Sequence, residues 1–154
     1  MSASSSLPTS VEAPATFDQS TDRGLHVAER LRTNVIAWLT TVRAGAQPDS
    51  VPVWYLWQED GTLLIYSRPN TPKVRNLQVH PQVSFTLDDT HGGSDVVRIE
   101  GTAVVHADDA GQQVAAAYAE KYDESIVYIG YEDAEAFGAV YSTAIVITPT
   151  RYHV

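Results

Sequence analysis

The residues of this chain that are best placed to do chemistry lie in Ser67-Arg68-Pro69-Asn70-Thr71-Pro72-Lys73-Val74-Arg75-Asn76-Leu77. This stretch holds three of the ten basic residues of a protein with a formal net charge of -9, and no acid interrupts the chain between Asp60 and Asp88. Thr71 followed by Pro72 reads as an N-cap and a first helical position. A helix start presents unpaired N–H groups and a partial positive charge. Cations there are unfavourable by roughly 0.3–1 kcal/mol each unless an anion joins them. Ser67, Arg68, Lys73 and Arg75 around such a start therefore point to a phosphate, and so to a phosphorylated ligand.

The remaining reactive residue types form no comparable set. Cysteine is absent, which excludes disulfides, thiolate metal sites and Cys nucleophiles. His26, His80, His91, His106 and His153 show no ligand spacing such as H-x-x-x-H, so no metal is expected. Asp88-Asp89 and Asp108-Asp109 read as a turn and a helix cap, and no Ser-His-Asp set can be assembled. Trp38, Trp54 and Trp57 are of the type that fills cores and interfaces; Trp54, on a strand face with Pro52, is also a candidate for ligand contact. Tyr118, Tyr122, Tyr128 and Tyr131 read as packing, with one of their hydroxyls a candidate proton donor to a substrate.

The elements that must position these groups follow from composition and periodicity. With 154 residues, 44% hydrophobic and 19% charged, the chain reads as one soluble domain with a real core. No apolar run approaches the roughly 20 residues of a membrane span, and no secretion signal opens the chain. The expectation is a cytoplasmic protein with no membrane contact. The acidic balance argues against nucleic acid and leaves a small molecule as the partner. Residues 1–21, rich in Ser, Thr, Pro and Ala, read as a tail, disordered or draped over the body, and residues 22–154 as the domain.

A helix is expected from Asp22, with Leu25, Ala28 and Leu31 on one stripe and Arg30 and Arg32 off it. Strands are expected over Val35–Val42, Ser50–Gln58, Thr62–Ser67, Gln82–Asp88, Asp95–His106 and Tyr141–Thr148. The second carries bulk on both faces, as does a strand buried on both sides or lying under a ligand. Glu59-Asp60-Gly61 marks a tight hairpin, and Gly101 a bulge or a close backbone approach. Further helices are expected over Thr71–Val79, from Asp108 or Asp109 with Val114, Tyr118 and Tyr122 on one face, and over Glu132–Phe137. Six strands joined mostly by hairpins predict a mainly β fold, a closed or half-closed antiparallel barrel with peripheral helices. A βαβ alternation, a G-x-G-x-x-G fingerprint and a Walker loop are all absent.

Ser50–Trp57, Leu63–Ser67, Thr71–Leu77 and His80-Pro81-Gln82-Val83-Ser84-Phe85 together resemble the pyridoxamine 5'-phosphate oxidase-like superfamily, in its flavin/deazaflavin-dependent oxidoreductase branch. The patterns x-S-x-P-V-W, L-x-I/Y-S and T-x-K-x-R-N-L-x-x-x-P cover roughly residues 30 to 105, and Ile145–Thr148 fits the closing strand. The resemblance implies a six- to seven-stranded antiparallel split β-barrel of Greek-key type, and a homodimer with two cofactor sites at its interface. It implies that Val51, Pro52, Val53 and Trp54 run along an isoalloxazine-type ring. Tyr66, Ser67 and Arg68 would lie beside the ribityl chain and phosphate, and Lys73, Arg75 and Asn76 would hold the phosphate. Pro52 also makes sense by itself: lacking an N–H, it belongs at a sheet edge or where a ligand replaces a neighbouring strand. The chain departs from true pyridoxamine phosphate oxidases in being shorter and in lacking their C-terminal Arg-x-His substrate segment (Arg151-Tyr152-His153 matches by letters only). That departure argues against pyridoxine chemistry.

The function so implied is that of an oxidoreductase in which reduced deazaflavin, coenzyme F420, delivers a hydride to a small unsaturated or aromatic acceptor. The protein positions the reactants and excludes water. Hydride transfer needs few titratable side chains, in keeping with the missing acid–base constellation. Arg23, Arg30, Arg32 and Lys73 are candidates for a basic groove along the glutamate-bearing tail of that cofactor. FMN in the same fold is the alternative. A non-catalytic flavin- or haem-binding module is the alternative of another class, and haem would require a ligand such as His80 or His91.

Overall fold

A computed structural model describes residues 13–106 and 114–154 of the chain. Its elements are α1 (Asp22–Thr33), β1 (Ala37–Val42), β2 (Pro48–Val53), β3 (Leu56–Trp57), β4 (Leu63–Ser67), α2 (Pro72–Val79), β5 (Gln82–Leu87), β6 (Arg98–His106), α3 (Ala116–Tyr128), α4 (Ala134–Val140) and β7 (Thr143–His153). The seven strands form one antiparallel sheet in the order β2-β1-β5-β6-β7-β4-β3.

The two edge strands, β2 and β3, are consecutive in the chain and separated only by Trp54 and Tyr55. Three Cα steps from Val53 to Leu56 span at most about 11 Å. The edges of a flat seven-stranded sheet would lie about 29 Å apart. The sheet therefore has to curl until its edges nearly meet, which makes it the split barrel that the strand order predicted.

The single strand expected over Ser50–Gln58 is thus two strands on opposite edges. Tyr55 sits in the break, fully buried, with its backbone bonded to side chains instead of a ladder. Its N–H donates to the Tyr122 hydroxyl at 2.9 Å, its carbonyl accepts from Lys121 Nζ at 2.9 Å, and its own hydroxyl donates to the Leu31 carbonyl at 2.9 Å. These bonds replace the ladder bonds that the break removes. The burial on both faces expected for this strand belongs instead to β4, all five residues of which are buried, whereas β2 alternates towards solvent. Leu63 and Ile65 face the barrel core with Leu39, Phe85, Ile99 and Ile145, and Leu64 and Tyr66 face a second cluster with Tyr118, Tyr122, Ile126 and Phe137. The helices α3 and α4 thus cover the outer side of β4.

Other boundaries shift for local reasons. On α1 the buried face is Gly24, Val27, Ala28 and Leu31, while Leu25 is 55% exposed. Arg30, expected off the stripe, is buried, because its guanidinium donates to the carbonyls of Asp88 (2.8 Å), Asp89 (2.7 Å) and Asp95. Gly24 has no room for a side chain: a Cβ there would lie 1.7 Å from the Asp18 carbonyl oxygen. Gly101 fulfils both parts of its expectation. The β6–β7 register shifts between Glu100 and Gly101, and a Cβ at Gly101 would lie 2.6 Å from Ile147 Cγ2. Asp95 is not part of β6 but closes the loop before it. The cap expected at Asp108 or Asp109 falls outside the described residues. Within the N-terminal segment, Ala15 donates to the Pro149 carbonyl at 2.8 Å, and Phe17 packs on Trp57 and Tyr152.

Candidate cofactor site

The site is set by where α2 begins. Val74 and Leu77 bury into the barrel core, and Asn76 donates through Nδ2 to the Thr41 hydroxyl on β1 at 2.9 Å. These contacts hold the start of α2 at the end of β4. Thr71 has the extended backbone of an N-cap (φ -68°, ψ 160°), and Pro72 occupies the first turn. The Thr71 side chain nevertheless caps no helix N–H; its hydroxyl lies 3.1 Å from that of Ser67. The first turn contains no acid. The N–H groups that a helix start leaves unpaired are therefore not met by a capping side chain.

Beside this start lies a cavity of about 290 Å³ lined by Pro52, Val53, Trp54, Tyr66, Lys73, Tyr118, Ile129, Phe137 and Tyr141. Its walls are mostly aromatic. Trp54 stacks on Tyr122 with centroids 4.7 Å apart and 7° between planes, and Phe137 stacks on Tyr141 at 4.4 Å and 12°. Tyr66 meets Tyr118 edge-on at 4.7 Å. Among the described lining residues Lys73 brings the one charged side chain. It forms no ion pair with a carboxylate among the described residues, and partial burial lowers its pKa below the ordinary lysine value.

Of the ten residues singled out in the sequence, Pro52, Val53, Trp54, Tyr66 and Lys73 come together around this cavity. The other five are placed differently. Val51 packs partly against the barrel core. Ser67 is buried, and its hydroxyl bonds to the Arg68 carbonyl at 2.9 Å as well as to Thr71. Arg68 is exposed and donates to the Tyr131 hydroxyl at 3.2 Å, with its guanidinium carbon 5.4 Å from the centre of the ring of Tyr141, a wall of the cavity. Arg75 turns back onto the Asn70 carbonyl and fastens the turn before α2, in which Asn70 has φ 61°. Asn76 points into the core. Lys73, the uncapped helix start and the Ser67–Thr71 hydroxyl pair lie together at the end of β4.

Three lining residues, Ile129, Phe137 and Tyr141, were not singled out in the sequence, and Tyr118 was raised only as one of four tyrosines that could donate a proton. Aromatic density from Tyr118 to Tyr141 was the only signal, and nothing local says that this segment returns over β4. Tyr128 of the same expected stripe is 91% exposed. Lys121, also not singled out, lies 3.8 Å from the centre of the Tyr55 ring, and burial lowers its pKa to about 8.

The basic groove expected from Arg23, Arg30, Arg32 and Lys73 does not form. Arg23 pairs with Asp95 at 2.5 Å, Arg30 with the same carboxylate at 3.2 Å, and His26 bonds it at 2.8 Å. Arg32 leans over Trp57, 5.9 Å from the ring centre. Burial raises the Asp95 carboxyl pKa, but the bonds from His26 and Arg23 and the charge of Arg30 outweigh it, so the group stays well below the usual carboxylate range. The described residues contain no cluster of His, Asp and Glu able to hold a metal, and none of their helices is long and apolar enough to cross a membrane.

The sequence profile of the family described as Pyridoxamine 5'-phosphate oxidase matches residues 26–154. Among solved structures, the chain is similar to an F420 reductase (23% identity, 81% of this chain and 94% of that one, TM-score 0.62). It is also similar to an FAD-binding protein from Mesorhizobium loti (20% identity, 83% and 90%, TM-score 0.59). A third is the haem storage protein HutZ from Vibrio cholerae (16% identity, 84% and 92%, TM-score 0.56). No curated protein matches the chain in sequence. At these identities the structural likeness establishes the fold.

Proposed function

This chain belongs to the pyridoxamine 5'-phosphate oxidase family, and from that premise we propose that it is an oxidoreductase that binds a phosphorylated flavin-type cofactor, with coenzyme F420 as the first choice and FMN as the alternative. One observation carries the reading. An uncapped, acid-free helix start adjoins an aromatic cavity in which Lys73, the one cation among the described lining residues, has no carboxylate partner among them. The residues fit such a group by type: α2 and Lys73 would take the phosphate, and the Pro52–Trp54 segment would flank the ring. When bound and reduced, the cofactor supplies a hydride to a small unsaturated or aromatic acceptor. Trp54, Phe137 and Tyr141 exclude water and orient a flat molecule, and Lys73 balances the anion's charge.

The likeness to an F420 reductase favours the deazaflavin over FMN at the level of fold only. The haem alternative has less support. Among the described residues the His80 Nε2 is buried without a partner and the His91 Nδ1 faces Asp89 and Asp95 at 3.6 and 3.8 Å, and neither residue lines the aromatic cavity. A homodimer is part of the proposal, with a second copy closing the cofactor site. Trp38 is 42% exposed and sits opposite Pro52 on the sheet edge, a face suited to burial by another chain. A cytoplasmic location completes the reading.

Titration of the purified protein with F420 and with FMN, followed by cofactor fluorescence, tests the assignment. Saturable binding of F420 with weaker binding of FMN is expected. Absence of binding by both removes the proposal. Sedimentation of wild type and Trp38→Glu checks the dimer, which the variant should weaken.

A further inference from the structure

Tyr118 is fully buried, yet its hydroxyl has no hydrogen-bond partner among the described residues. Leaving a buried hydroxyl unpaired destabilises the folded state. Phenylalanine would keep every ring contact, with Tyr66 at 4.7 Å, Tyr122 at 4.9 Å and Phe137 at 6.2 Å, and would remove that cost. The surrounding tyrosines are satisfied. Tyr66 accepts from the Ala115 N–H at 2.8 Å, Tyr122 donates to the Val35 carbonyl at 2.6 Å, and Tyr131 accepts from Arg68 at 3.2 Å. Tyr118 is thus the exception in its cluster, and it is also a lining residue of the cavity. Burial raises its pKa above the ordinary phenol value, so the group is a neutral O–H donor at any working pH.

We propose that Tyr118 is the specificity-determining hydrogen-bond donor of this cavity, held for a carbonyl-type oxygen on a planar ring that stacks against Trp54, Phe137 and Tyr141. The inference deepens the proposed function and rests on the cavity being its ligand site. A ring carbonyl is present both in flavin-type cofactors and in quinone-type acceptors, and the experiment separates the two sources. The hydroxyl is retained at a cost in stability because its partner arrives with the ligand, a trade found at binding sites.

The test compares wild type with Tyr118→Phe. Dissociation constants are measured by tryptophan quenching for menadione and for 2-methylnaphthalene, which has the same ring shape without oxygens, and by fluorescence for F420 and FMN. Thermal midpoints of the ligand-free proteins are measured alongside. Wild type should prefer menadione over the hydrocarbon by about five- to tenfold, the worth of one hydrogen bond. The variant should lose that preference while its ligand-free midpoint stays level or rises. If cofactor affinity is unchanged in the variant, the oxygen belongs to the acceptor. If cofactor affinity also falls and menadione competes with the cofactor, the oxygen belongs to the cofactor ring. The proposal is overturned if no affinity changes by more than about twofold, or if the variant's ligand-free midpoint drops by several degrees, because the hydroxyl then serves the fold. Failure of wild type to bind either cofactor removes the oxidoreductase reading but leaves the menadione result to decide this one.

Discussion

At the start of α1, Thr21 accepts the Gly24 N–H at 3.0 Å, Asp22 lies in the first turn, and Arg23 and Arg30 are paired to Asp95. At the start of α2, Thr71 has the same extended backbone, but it caps nothing, no acid follows in the first turn, and Lys73 has no carboxylate partner among the described residues. The two starts use the same residue type to different ends. The first is served within the chain, with a cap on the Gly24 N–H, an acid for the dipole and a carboxylate for the arginines. The second leaves donors and a positive charge unmet beside a cavity, and that is the physical mark of a place meant for something else. Arginine count alone does not separate them, because the cations nearest in sequence to the expected basic groove are the ones already spent on Asp95.

The largest effect expected from this contrast is on stability at α1. Asp95→Asn should cost about 2–3 kcal/mol in urea unfolding, less than a fully enclosed pair because Arg23 and His26 reach water. Cofactor affinity should not change. The pH sign follows from the depressed carboxyl. Its contribution is present above the unfolded value near pH 4 and is lost as pH falls through the lower folded value. Wild type and variant should therefore draw together in stability as the pH falls below about 4.

The opposite pattern is expected at α2. Lys73→Ala should weaken binding of the cofactor by about 1.5–3 kcal/mol, or roughly ten- to 150-fold, as a charged hydrogen bond is lost. Its unfolding free energy should stay within about 0.5 kcal/mol of wild type. Equal losses of stability and binding would dissolve the distinction between the two starts.

Smaller effects sharpen the comparison. Thr21→Ala should cost about 1 kcal/mol of stability, the worth of a working cap. Thr71→Ala should cost clearly less, because no cap bond is lost. Thr71→Asp should stabilise the free protein by about 0.5 kcal/mol through the α2 dipole while lowering affinity for a phosphorylated ligand, since the carboxylate would occupy the anion's place. Thermal unfolding with and without cofactor measures all three.

Much of the frame was legible because it rests on local rules. The threonine–proline start of α2, the hairpin at Gly61 (φ 86°) and the bulge at Gly101 each follow from one residue's backbone needs. The break at Trp54–Tyr55 was not legible, because alternating apolar residues look like one continuous strand. Only Tyr122 and Lys121, 67 and 66 residues later, supply the bonds that let the backbone leave the ladder there. Arg68, Arg75 and Asn76 show the same limit. Their types fit a phosphate, and their partners within the fold, Tyr131, Asn70 and Thr41, could not be read from the sequence.

The sequence by itself determined a mainly β barrel, a helix start rich in cations without acids, and the exclusion of thiol chemistry, since composition, spacing and local backbone preference are enough for these. The tertiary structure alone decided which cations find a carboxylate, where the strand expected over Ser50–Gln58 breaks, and that α3 and α4 return to wall the cavity with Tyr118, Phe137 and Tyr141. Such outcomes depend on which distant groups meet, and a hydrogen bond or an ion pair goes to the partner that the fold brings within reach.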